Sequence, residues 1–363
     1  MRSLEWAEVR EKLSCPALLD VRDRHFARLR NLHRASPPEK PFYLNGYSAG
    51  FVREVRNGRT FTLADPLCGL AGPSPPNPYT APEEWVAAAA RELAGVADAA
   101  ADEGVFRPLC IEFGPYGVHF VDRIFGAEVY TDDAGGWQVS PLNAPVGTLA
   151  YPDLEQNETW TQARRLALAF TRLHLPLPLF GMPTIASALN IGINLFGQEL
   201  LLALLTEPAA ARHDLAVINH ILLRLHGWYM AHVPPRQLQP VIAAWRCQPP
   251  GRGQLCGCST HLISAETYRD SVAALDAALL AVYPDGGMIH LCGAHTQHIP
   301  TWRNMPALRA VQLNDRAAED LAAYFHGLRD DQVIYVNPCP GMPPAEILRI
   351  TGGRRVVIVA EPE

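Results

Sequence analysis

Residues 286–293 read GGMIHLCG, and the chain goes on in the same rhythm: LRAVQLND at 308–315, RAAEDLAAYFHGL at 316–328, QVIYVNPC at 332–339, PPAEILRITGG at 343–353 and RRVVIVAEP at 354–362. Short apolar runs of strand length alternate with segments of helical periodicity. That alternation predicts βα units with a parallel sheet. Each strand ends in a polar or cysteine-bearing loop. The carboxyl ends of parallel strands are where both (β/α)8 barrels and doubly wound sheets do their chemistry. No G-x-G-x-x-G or G-x-x-x-x-G-K-[ST] follows any of these strands, so a nucleotide-binding sheet gains no support.

Working outward, 264–283 (SAETYRDSVAALDAALLAVY) predicts a helix capped by Ser264. Residues 199–233 predict a long helical segment broken at Glu207-Pro208. FRPLCIEFG at 106–114 reads as a buried strand followed by a glycine loop, and 160–174 as a helix. Residues 80–104 predict a helix with Thr80 as cap and Pro82 in its first turn. The proline- and glycine-rich run at 63–84 reads as an irregular surface excursion. The division expected is a mainly helical extension over 1–105 and a barrel over 106–363.

The 363 residues, 48% of them apolar, suit one large α/β unit or two medium domains. A net charge of −6 lacks the basic footprint of a nucleic-acid binder. The N-terminal MRSLEWAEVREKL is charged and amphipathic, without the apolar core of a secretory signal. The most apolar stretches are too short or interrupted to span a bilayer. A cytoplasmic location is therefore expected, in which eight cysteines are thiols or ligands rather than disulfides.

The chemistry-bearing pair is His290 and Cys292. In a strand, residues two apart point to the same side, so both side chains reach one point at the strand end. Imidazole and thiolate are preferred zinc ligands, and a catalytic zinc takes three protein ligands. A small buried thiol beside a hydrogen-bonded core histidine is the plainer alternative. Cys339, in VNPCPG, ends another predicted strand and is the expected third ligand, with Cys258 or Glu361 as alternatives. Cys256 and Cys258 form a C-x-C, which suits a metal but is read more simply as packing. His295 and His298 follow in the same loop, where His295 is a candidate for catalysis or for orienting a ligand. The run EFGPYGVHFVDRIFGAEV at 112–129 is the second dense stretch. Its Glu112, Tyr116 and His119 are candidates to line a pocket as acids or bases, against the plainer reading of a tight turn.

These segments resemble the uroporphyrinogen decarboxylase superfamily. GGMIHLCG followed by LRAVQLND carries the likeness, with GMPTIASALNIG, the acidic-proline break, LISAETYRDSVAALDAAL and FGPYGVHFVDRIFGAEV beside it. The resemblance covers roughly residues 105 to 363 and implies a (β/α)8 TIM barrel with an N-terminal helical extension. The arginine-rich Gly-Arg-Tyr run of true decarboxylases has no match here. His290, Cys292 and Gly293 match the H-x-C-G of the methylcobamide:coenzyme M methyltransferase branch. That branch implies zinc, which activates a thiol acceptor, and a corrinoid carried by a partner protein. Its later cysteine sits at the end of the last strand, where this chain has VIVAEPE; Cys339 lies one strand earlier. The resemblance thus implies a zinc-dependent methyltransferase moving a methyl group between a corrinoid and a thiol or folate-type acceptor, with a homodimer compatible. The alternatives are a cofactor-free decarboxylase, needing arginines such as Arg53, Arg123 or Arg303 at the mouth, and a non-catalytic subunit that binds a ligand or a corrinoid protein.

Overall fold

The computed structural model describes residues 4–34, 40–49, 76–132, 136–240 and 243–362. Most of the proline-rich excursion, Arg53 and Cys68 lie outside the described residues.

Thirteen strands run in chain order among the described residues. They are β1 (Phe42–Leu44), β2 (Tyr47–Ala49), β3 (Val105–Phe106), β4 (Leu109–Glu112), β5 (Glu128–Thr131), β6 (Trp137–Ser140), β7 (Leu179–Gly181), β8 (Leu238–Gln239), β9 (Gly253–Cys256), β10 (Gly287–Cys292), β11 (Leu308–Asn314), β12 (Val333–Val336) and β13 (Val356–Ile358). Seven form one sheet in the order β3-β1-β13-β12-β11-β10-β9, and four form another in the order β2-β4-β7-β8. Every pairing within these two sheets is parallel. β5 and β6 make a separate antiparallel pair.

The two sheets run on from one another. Only Asn45-Gly46 separates β1 from β2, and only Arg107-Pro108 separates β3 from β4. At Gly46 the chain passes so close to Pro108 and Ala244 that an added Cβ would meet them at 2.7–2.8 Å. On the other side, a bridge joins Ala186, just past β7, to Cys256 at the end of β9. The first hundred residues therefore supply strands as well as helices: β1 pairs with β13 and β3, and β2 pairs with β4.

The alternation of side chains along each strand builds two cores. Ile289, Leu291, Val311, Leu313, Ile334 and Val336 face the larger one, packed under the helices. Their neighbours Met288, Ala310, Val333 and Tyr335 face a smaller cluster, completed by Phe42, Phe106 and Leu179 from the other strands. His290 and Gln312 belong by parity to this second face, on which a buried polar group must find partners.

The helices follow the sequence closely. Trp6–Leu13 and Pro16–Leu32 precede β1. Gln198–Thr206 and Pro208–His232 break at Glu207, where proline cannot continue the helical hydrogen bonds. The segment from Ser264 is capped as expected, its hydroxyl accepting from the Thr267 amide, but it divides at Val272 into Ala265–Ser271 and Ala273–Ala281. The helix expected to run from Thr80 towards Gly104 is Pro82–Gly95, preceded by Ala81 rather than by a capping threonine, with a 3-10 turn at Ala97–Ala101. Among the described residues no single helix is long and apolar enough to cross a membrane, and the apolar pair Ala188–Phe196 and Gln198–Thr206 bends by 111°.

Candidate metal centre

Strand register assembles the site. β9 and β10 pair in parallel with Cys256 opposite His290, and the ladder continues one step further as the Gly257 amide donates to the His290 carbonyl. Cys256, Cys258 and His290 thereby bring their ligand atoms within 4.8 Å of one another. The two sulfurs of the C-x-C lie 3.4 Å apart. Cys292 joins from the end of β10, its Sγ 3.2 Å from His290 Nε2.

Each donor is held from behind. Gln312, on the neighbouring strand β11, accepts at His290 Nδ1 through Oε1 and donates through Nε2 to Asn337 at 2.7 Å. This leaves Nε2 of His290 facing the sulfurs, the tautomer a ligating histidine needs. Asn190, in the first turn of the helix capped by Ser187, accepts from the Ser259 amide at 3.0 Å and turns its Nδ2 towards Cys256 Sγ at 3.8 Å. The Ser187 amide donates to the Cys256 carbonyl at 2.9 Å. Asn314 Nδ2 stands 3.6 Å from Cys292 Sγ.

The thiols share protons. Interaction with Cys258 lowers both Cys256 and Cys292 below the ordinary thiol range, while Cys258 is raised by the same two contacts. The cluster thus carries thiolate character, the form in which sulfur binds metals. The donor set of soft thiolates and one oriented imidazole fits zinc.

The sequence-derived candidates fall in several places. Cys258 and His290 are in the cluster and Cys292 touches it. Cys256, which sequence alone reads more simply as packing, is a member. Cys339 is not: β11 lies between its strand β12 and β10, and two strand spacings, about 10 Å, separate the ladders. It sits in a tight turn bridged to Met342. Glu361 is drawn elsewhere, into an ion pair with Arg107 and a hydrogen bond from Asn45 at 2.5 Å.

His295 is locked into the fold. Its Nδ1 meets the Thr260 hydroxyl at 2.8 Å and its Nε2 the Cys292 carbonyl at 2.6 Å, and burial lowers its pKa to about 4. His298 Nε2 donates to the Thr260 carbonyl at 2.8 Å. Together these rings clamp the C-x-C loop to the end of β10. His119 is tied through Nδ1 to Asp122 at 2.7 Å, and Asn194 donates to the same carboxylate oxygen. Tyr116 adopts a left-handed backbone, φ 59°, and packs edge-on against Trp137.

Glu112 is wholly buried at the end of β4. The Ser48 hydroxyl donates to it at 2.6 Å and the Ala244 amide at 3.3 Å, yet burial pushes its pKa up to about 7. Of the arginines weighed from sequence, Arg123 donates to the Ala127 carbonyl. Arg303 lines a cavity of about 280 Å³ with Arg329 and Arg354, beside the starts of β12 and β13 and away from the cysteines. A cation that sequence reasoning passed over does stand near the cluster. Arg246 is 9% exposed, and the charges it feels are the sulfurs of Cys256, Cys258 and Cys292 together with Glu112.

No family model matches the sequence, and no curated protein matches it either. Among solved structures, the fold is similar to that of a methyltransferase from Methanosarcina mazei, with a TM-score of 0.61 over 92% of each chain at 12% identity. At that identity the likeness is one of fold.

Proposed function

We propose that the two parallel sheets are arcs of one (β/α)8 barrel, and that the chain is a zinc-dependent methyltransferase whose centre lies at the carboxyl ends of β9 and β10. The split of strand side chains into an outer core and a smaller inner one supports the barrel, since a closed sheet makes that division. One observation carries the functional reading: Cys256, Cys258 and His290 converge within 4.8 Å at the strand ends, with Cys292 in contact. The fold shared with a methyltransferase agrees with it.

Zinc held there would supply Lewis acidity that lowers the pKa of a thiol acceptor. The chain's own residues do the rest. Gln312 fixes the ring of His290, and Asn190 and Asn314 turn amide groups towards the sulfurs. His295 and His298 hold the C-x-C loop against β10. Glu112, whose pKa burial pushes up to about 7, is a carboxyl able to take up or release a proton near neutral pH. The methyl donor in this reading is a methylated corrinoid presented by a partner protein, and the acceptor a small thiol or a folate-type molecule.

The test is elemental analysis of protein purified without added metal, beside Cys256→Ala/Cys258→Ala and His290→Ala. The expected result is about one zinc per chain, lost in the variants. Methylcobalamin and a thiol then report turnover through the change in corrinoid absorbance. No zinc even after reconstitution refutes the reading; zinc without demethylation of the corrinoid refutes the reaction and leaves the metal.

A further inference from the structure

We infer that the cavity at the amino ends of β9, β10 and β11 is an oxyanion site, which takes a small molecule bearing a carboxylate or phosphate group through Arg252 and Arg309. The inference stands apart from the zinc reading, because the cysteines lie at the opposite ends of these strands.

The cavity measures about 390 Å³, within the range of small-molecule pockets. Its lining comes from the segments that lead into three strands: Arg252 before β9, Pro284 to Gly286 before β10, and Pro306 to Arg309 at the start of β11. These segments hold one another. The Asp285 amide donates to the Gly251 carbonyl at 3.1 Å, the Gly253 amide to the Gly286 carbonyl at 2.9 Å, and the Gly287 amide to the Ala307 carbonyl at 2.9 Å. Gly286 has φ 70°, and a Cβ there would collide with the Ala307 carbonyl and the Arg309 side chain. Backbone contacts therefore fix the shape of the cavity.

Arg252 is the group that calls for an anion. It is 9% exposed, and its Nε is out of solvent without a hydrogen-bond partner. Its Nη1 donates to His33 Nε2. His33 is neutral there: its Nδ1 hydrogen goes to the Asp331 carbonyl at 3.0 Å, which leaves Nε2 to accept, and burial lowers its pKa to about 3. Among the described residues Arg252 has no ion pair and no hydrogen-bond partner besides His33. A guanidinium cannot shed its charge to escape burial. Burying it against a neutral ring alone is costly, and an anion offsets that cost.

Arg309 brings a second cation to the same cavity. It meets Asp331 at 3.0 Å, but that carboxylate also takes Arg329 at 2.9 Å, so one negative charge is divided between two guanidiniums. Asp285 is the carboxylate of the lining; it is exposed, lies over Gly251 and is ion-paired with neither arginine. It offers an acceptor to a hydroxyl or ammonium group of the ligand. Tyr283, Pro284 and Pro306 supply apolar wall. Guanidinium forks match carboxylate and phosphate oxygens two at a time, which sets the class of head group.

Calorimetric titration of the full chain with inorganic phosphate, and separately with malonate, tests this in chloride buffer of matched ionic strength. Saturable binding of at least one probe is expected, and the tighter of the two identifies the head group. Arg252→Met should weaken it by about 10- to 100-fold, the worth of a charged hydrogen bond. Ala281→Glu keeps both arginines and sets a carboxylate on the cavity wall, which guards against a variant that fails to fold. It should abolish binding and, without probe, melt no lower than wild type, since the new carboxylate supplies the missing anion. No saturable binding of either probe to wild type overturns the inference. So does undiminished affinity in Arg252→Met or in Ala281→Glu. Binding that survives Arg252→Met and disappears in His290→Ala places the anion on the cysteine cluster and overturns it too. Zinc content should be the same in wild type, Arg252→Met and Ala281→Glu, so each of these failures leaves the zinc reading standing.

Discussion

Replacing Glu112 with glutamine should change how stability depends on pH, and the sign follows from burial. In the fold this carboxyl titrates at about 7; in the unfolded chain it titrates near 4.5. Between those values the native protein holds a proton that the unfolded chain has released. Stability therefore falls as pH rises through the window. Below it both states are protonated, and above it both are ionised and the loss is complete. At about 1.4 kcal/mol for each pH unit, the gap comes to about 3 kcal/mol. Glutamine keeps the shape and an acceptor for the Ala244 amide but does not titrate. Urea unfolding of both proteins at intervals from pH 4.5 to pH 8 reads the effect directly. The variant should gain on wild type by about 3 kcal/mol across that range. Asp276 and the cysteine cluster are present in both proteins and cancel in the difference. A stability difference that stays constant with pH would refute the claim that burial governs this carboxyl.

Asp276, buried with the Tyr268 hydroxyl donating to it at 2.8 Å, is raised to about 7 from 3.8, so Asp276→Asn should raise the melting temperature at pH 8 and leave it nearly unchanged at pH 4. Gly181→Ala places a Cβ 2.6 Å from the Glu112 side chain and should cost about 1–3 kcal/mol in denaturant unfolding, since neither group has room to retreat. Gln312→Leu removes the partner of His290 Nδ1 and should weaken zinc binding by about 10- to 100-fold in competition with a chelator. Cys339→Ala and Glu361→Ala should leave zinc content unchanged, because neither residue reaches the cluster.

The strands of the last third were legible because buried parallel strands are nearly continuous apolar runs, and RRVVIVAEP or QVIYVNPC leave little else to read. His290 and Cys292 were legible as a pair because spacing along one strand is fixed by the pleat. Their partners were harder. Whether Cys256 or Cys339 stands beside His290 depends on which strands are neighbours and in what register, and neither quantity is local. The H-bonded order β12-β11-β10-β9 puts Cys256 next door and Cys339 two strands off. Arg246 escaped notice for a related reason. It sits on a one-turn helix between β8 and β9 with no motif around it, and only the fold makes it the buried cation near three sulfurs. β1 and β2 were missed because three-residue strands, each broken from the next by Asn45-Gly46, carry too few residues to show a period.

The placement of the cluster on two adjacent strands bears on the order in which the chain folds. Cys256, Cys258, His290 and Cys292 lie on one short stretch of chain, joined by a crossover through Ala265–Ser271 and Ala273–Ala281. Closing β1 against β13, by contrast, brings together segments from opposite ends of the polypeptide. Short closures cost less entropy and form sooner than long ones. The βαβ unit carrying these four residues therefore has the shorter loop to close and is expected to form before β1 meets β13. A metal ion captured there would tie β9 to β10 early and serve as a nucleus around which the remaining strands add.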